Sequence, residues 1–117
     1  MKKTVTLKEN RDFLSVYRYG KSFVADCLVI YFRKNRLGIT RIGITCTKKV
    51  GKAVIRNRVR RRIRENLKEL ENEIPESYDI VIVARVKAAS CDYRMLGGAL
   101  RFLFSKSGLI CSERNER

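Results

Sequence analysis

The chain has 117 residues, 44% hydrophobic and 33% charged, and carries a net charge of +15 from 27 basic against 12 acidic side chains. That size fits one domain over residues 1–117, which buries roughly two-thirds of its unfolded surface without a disulfide or metal, and the hydrophobic content excludes a disordered tail. Histidine is absent, no two of Cys27, Cys46, Cys91 and Cys111 form a CxxC pair, and no apolar run nears the ~20 residues of a membrane span, so the reading is a reduced cytoplasmic protein with packed free cysteines, no metal site and no membrane.

In chain order, Thr6-Leu7-Lys8-Glu9 has the form of a capping box with Thr6 as N-cap. Phe13, Val16 and Tyr17 then share a helical face and Gly20 is a stop signal, which predicts a helix over 7–18. Residues 22–33, SFVADCLVIYFR, read as strand from their β-branched and aromatic types. Residues 39–47, ITRIGITCT, alternate, with Ile42, Ile44 and Cys46 on one face. The polar RKNRLG between these two runs predicts a hairpin connection.

A second helix is expected over 53–72, with Ile55, Val59, Ile63, Leu67 and Leu70 in one stripe about 120° wide and Pro75 beyond its end. Residues 79–86, DIVIVARV, are apolar enough for a central strand. Asp92 caps a third helix that turns Leu96, Ala99, Leu100 and Leu103 inward and stops before Gly108. Gly97-Gly98 inside it cost ~1 kcal/mol each, for no reason visible in the sequence. The last nine residues read as frayed. The order is helix, two or three strands, helix, strand, helix, an α+β or α/β sandwich of helices on a sheet.

The charge is concentrated. Thirteen basic residues and no acid lie between Cys27 and Arg64, and six arginines fall within Arg56–Arg64. On the second helix Asn57, Arg61, Arg64 and Lys68 point away from the apolar stripe, Arg58 and Arg60 flank them, Arg56 lies in the first turn and Arg62 at the stripe's edge. An ordinary solvated face fits this poorly. Arginines four apart repel, bases at the helix N-terminus oppose the macrodipole, and the acids Glu69, Glu71 and Glu73 gather at the wrong end. Guanidinium groups fork onto phosphate oxygens and stack on bases, so the ligand this helix predicts is a nucleic acid. A membrane surface fits less well, because the apolar stripe is needed for the core.

Phe13, Tyr17, Tyr31 and Phe32 are the aromatic residues placed to stack on unpaired bases, core packing being the competing reading for Phe13 above all. No nucleophile elbow, P-loop, dinucleotide fingerprint or carboxylate pair is present. The sequence therefore offers no catalytic residue and no small-molecule site.

The run from Gly43 to Arg64, GITCTKKVGKAVIRNRVRRRIR, resembles the bacterial ribonuclease P protein component. So do Leu7–Gly20 as that family's first helix, Tyr78–Arg85 as its last strand and Leu103–Lys106 as the end of its third helix. The resemblance implies an α+β sandwich with a mixed sheet of about four strands and three helices, in the order α-β-β-β-α-β-α, with a left-handed βαβ crossover around the arginine helix. It implies a protein that binds a catalytic RNA subunit, itself using Mg²⁺, and the 5′ leader of precursor tRNA, so that the leader is cut away by the RNA. The family's RNA contacts carry over to Lys48, Lys49, Lys52, Arg56, Asn57, Arg58, Arg60, Arg61 and Arg64, and its leader cleft to Phe13, Tyr17 and Tyr31. Arg60 stands where lysine is common and Tyr17 where phenylalanine is, which keeps the charge and the ring. The alternative is a structural RNA-binding protein, such as a ribosomal protein.

Overall fold

A computed structural model describes residues 4–110. In chain order the elements are β1 (Thr4–Thr6), α1 (Asn10–Tyr19), β2 (Lys21–Val24), β3 (Leu28–Lys34), β4 (Thr40–Cys46), α2 (Ala53–Leu70), β5 (Tyr78–Ala84) and α3 (Tyr93–Ser107). The five strands form one mixed sheet in the order β1-β4-β5-β3-β2. The class is α+β, with three helices as expected and one strand more.

The extra strand corrects the start of the chain. Thr6 is not a helix cap: it ends β1, which runs parallel to β4 with Thr4 opposite Thr40 and Thr6 opposite Ile42. Leu7 extends the pairing by donating its N–H to the Ile42 carbonyl. These sheet hydrogen bonds outweigh a single capping contact, so α1 starts three residues later than expected, at Asn10, with Glu9 as its cap residue and no side-chain cap. The predicted strand 22–33 is a tight hairpin, β2 and β3, closed by the Ala25 N–H on the Leu28 carbonyl at 2.8 Å.

The predicted hairpin between β3 and β4 does not form. β5 inserts between them, antiparallel to β3 and parallel to β4. Residue 79 explains the preference: Asp79 lies opposite both Arg33 and Arg41 in register, so β5 separates two basic strands and supplies a carboxylate to them. β4, α2 and β5 thus make the parallel crossover unit. As the apolar DIVIVARV run predicts, β5 is central, and Ile80, Val81 and Ile82 are fully buried.

α2 and α3 cover one face of the sheet and α1 the other. Alternation along β3 divides the two cores: Leu28, Ile30 and Phe32 face α2 and α3, while Tyr31 faces α1. On α2 the stripe Val59, Ile63, Leu67 and Leu70 is buried as expected, with Ile55 half-buried at its start. α3 begins where expected, the Asp92 carboxylate accepting from the Met95 N–H at 2.9 Å, and ends at Gly108 in the left-handed conformation. The paired glycines are partly explained here. A Cβ on Gly97 would sit 2.4 Å from Asn66 Oδ1 on α2, so Gly97 lets the two helices close, while Gly98 faces open space. Leu109 and Ile110 are buried, not frayed. The remainder of that tail, with Cys111, lies outside the described residues. Cys27, Cys46 and Cys91 are free and buried.

Candidate nucleic-acid interface

α2 leaves the sheet edge just past Cys46, through a turn at Lys48–Val50 that exposes Lys48 and Lys49. Lys52, also exposed, occupies the cap position without a side-chain cap. No acid lies in the first turn, so the positive end of the helix dipole adds to the lysine charge.

The arginines that follow divide into two sets. Some are held by main-chain carbonyls: Arg56 Nε donates to Gly51 at 3.1 Å, Arg60 Nη2 to Cys46 at 3.3 Å and Arg62 Nη1 to Cys91 at 2.8 Å. Arg60 also donates to the Asn57 side chain at 3.3 Å. Arg58 is half-buried, and its Nε is enclosed without a hydrogen-bond partner. The others, Arg61 and Arg64, are exposed, with Asn57 and Lys68. None of the ion pairs among the described residues includes an arginine of α2. The result is a helix with uncompensated charge, part pre-oriented by carbonyls and part free to reach a ligand. Its field reaches the core: burial pushes the Cys46 thiol up, with the Arg60 and Arg56 guanidinium groups pulling the other way.

On the opposite face, α1 lies across the middle of the sheet. Gly43 makes room for it, since a Cβ there would lie 2.4 Å from Phe13 Cζ. Tyr17 and Tyr31 meet edge to face, with ring centroids 4.9 Å apart, and the Tyr17 hydroxyl reaches Thr45 Oγ1 at 3.3 Å. Arg33 binds Ser15 and lies over the Tyr19 ring at 5.1 Å, and Arg41 pairs with Asp12 at 3.1 Å, so basic groups of the sheet fix the helix along its length. Beside α1 a floor is left partly open, made by Val24, Val29, Val83 and Thr45. Tyr17 and Tyr31 share this cleft. Phe13 shares their side of the sheet but turns toward the edge past β1, where it lines a groove with Arg60 and Arg64.

This sequence matches the Ribonuclease P family over residues 1–108. The chain belongs to the ribonuclease P protein family. A ribonuclease P protein component of Clostridium perfringens is 39% identical, with 94% of each chain covered. Among solved structures, a Staphylococcus aureus RNase P protein mutant with defective mRNA degradation activity superposes with a TM-score of 0.84 at 31% identity, covering 90% of this chain and 89% of that one. The RNase P protein from Thermotoga maritima does so with a TM-score of 0.75 at 34% identity, covering 84% and 94%.

The ribonuclease P family match takes in every element from β1 to α3, including both the arginine helix and the aromatic cleft. Thr45, Val29 and Val83 are members of the cleft that sequence reasoning did not single out. The alternation of ITRIGITCT marks Thr45 as facing away from the core, but only the register through β5 brings it beside Val83 and Val29. Among the described residues no three His, Cys, Asp or Glu side chains lie together to hold a metal ion, and no helix is long and apolar enough to cross a membrane.

Proposed function

We propose that this chain is the protein subunit of a ribonuclease P holoenzyme in the bacterial cytoplasm, binding the catalytic RNA subunit through α2 and the turn before it, and the 5′ leader of precursor tRNA through the cleft beside α1. The observation that carries this reading is the Arg56–Arg64 run, folded into a helix whose arginines surround its apolar stripe and have no acidic partner among the described residues. Lys48, Lys49, Lys52, Arg56, Asn57, Arg58, Arg60, Arg61 and Arg64 are the RNA-facing set. Tyr17 and Tyr31 are the stacking pair, and Phe13, packed on the same side of the sheet, turns toward the edge groove.

The chemistry is assigned to the RNA, whose bound Mg²⁺ supplies Lewis-acid and nucleophile-activating chemistry at the scissile phosphate. This chain's share is positive charge and shape. Cations on both sides of the sheet lower the repulsion between two polyanions brought together, so the substrate binds at a lower Mg²⁺ concentration.

The test is cleavage of 5′-labelled precursor tRNA at low Mg²⁺ by the protein, a bacterial ribonuclease P RNA, or both. Cleavage at the mature 5′ end only with both present is the expected result. No stimulation, with co-sedimentation on ribosomal subunits, would turn the reading to a structural RNA-binding protein. The Staphylococcus aureus relative is a mutant with defective mRNA degradation activity, which makes the protein-alone arm informative: cleavage there would move the chemistry onto the chain.

A further inference from the structure

A groove of about 450 Å³ opens at the edge of the sheet where β1 stops short of the end of β4. Its walls are apolar, formed by Leu7, Ile44 and Leu67, with the Phe13 ring at one end. Arg60, Arg64 and Lys68, spaced four apart on one face of α2, line its other side, and no acidic residue lines it at all. Its floor is a strand edge. Ile42 turns its carbonyl outward to the Leu7 N–H, and Cys46 turns its carbonyl outward to Arg60. Ile44, midway between them, presents its peptide N–H and C=O to the same edge, beyond the reach of β1.

We propose that this groove takes one unstacked nucleotide of an RNA strand, its base against the apolar wall with its hydrogen-bonding edge on the Ile44 peptide, and its phosphates on Arg60, Arg64 and Lys68. The inference rests on the RNA-binding reading of α2 and deepens it. The volume suits a single nucleotide and excludes a duplex. An apolar wall beside three cations selects an anion with a flat apolar body, and a free peptide donor next to an acceptor matches the edge of a base turned out of its stack. An exposed sheet edge also accepts peptide strands, but three cations with no acid favour the polyanion.

The experiment is a titration of the ¹⁵N-labelled full chain with a single-stranded RNA of five nucleotides. The expected result is that the Ile44 and Leu7 amides shift and saturate together with that of Arg64. Thr6, exposed at the groove's rim, allows a block that removes no charge: Thr6→Trp should weaken binding by about tenfold. Amides of α2 that move while Ile44 and Leu7 stay still, or a folded Thr6→Trp variant with unchanged affinity, would overturn the groove and leave RNA binding by α2 standing. No shift anywhere would overturn both. A pentaglutamate peptide that moves Ile44 as far as the RNA does would overturn the choice of a nucleotide.

Discussion

Arg41 on β4 clasps Asp79 on β5 with two parallel hydrogen bonds, Nε to Oδ1 at 2.9 Å and Nη2 to Oδ2 at 2.7 Å. The same guanidinium reaches Asp12 on α1, and Asn35 donates to Asp79 at 2.8 Å, so one group joins two strands and a helix. Burial pushes the Asp79 carboxyl up, but hydrogen bonds from Arg41 and Asn35 and the charges of Arg41 and Arg33 outweigh it and leave it below the usual carboxylate range. A depressed folded pKa gives stability that is complete above the unfolded value of ~3.9 and is lost as pH falls below it. Asp79→Asn should remove this acid-range slope, read by denaturant unfolding between pH 2 and 5, and Asp79→Ala should cost about 2 kcal/mol at neutral pH, because Arg41 keeps only its bond to Asp12.

Tyr17 and Tyr31 hold each other edge to face above an open floor, which leaves ring surface for a base. Tyr17→Ala should weaken binding of a fluorescent leader oligonucleotide by ~1–3 kcal/mol, while assembly with the RNA subunit stays unchanged. Tyr17→Phe removes only the 3.3 Å contact to Thr45 and should retain most of the affinity. Equal losses in both variants would mean that the hydroxyl, not the ring, is what the leader meets.

Arg61 and Arg64 project from α2 into solvent, so truncating them leaves the core intact. Arg61→Gln and Arg64→Gln should each flatten the plot of log affinity for the RNA subunit against log salt by ~0.9 or less. Arg62→Gln should instead lower stability, because its guanidinium ties α2 to the Cys91 carbonyl. An unchanged salt slope in the first two variants would remove them from the RNA contact.

The adjacent glycines of α3 should respond in opposite directions. Asn66 is pinned by its amide to the Arg62 and Tyr93 carbonyls at 2.9 and 3.0 Å and has no room to yield. Gly97→Ala should therefore destabilise by about 2 kcal/mol despite alanine's better helix propensity. Gly98→Ala meets nothing within 4 Å and should stabilise by up to ~1 kcal/mol. Thermal unfolding of the two variants checks both signs.

What could be read from the sequence follows the range of the interactions concerned. α3 was legible to its ends, because Asp92 and Gly108 act on their immediate neighbours. The charge of α2 was legible because an excess of arginine needs no fold to be counted. β1 was not: three residues carry little periodicity, and Thr6 with Glu9 imitates a cap that the pairing of Thr6 with Ile42 overrides. The place of β5 between β3 and β4 depends on partners some forty residues apart, Arg41 and Asp79 among them, and no local pattern encodes it. For the same reason the tyrosines of the cleft were visible and its valine floor was not.

β4 serves both sides of the molecule with consecutive residues. Thr45 meets Tyr17 above the sheet, and the side chain of the next residue, Cys46, is buried in the core under α2 below. The parity of this one strand therefore decides which surface each residue joins, and a single-residue insertion after Gly43 would exchange them. A loop could absorb such an insertion and a helix could rotate to follow it. β4, paired on one side with β5 and at its start with β1, can do neither, so length changes between Thr40 and Cys46 should be far less tolerated than substitutions there.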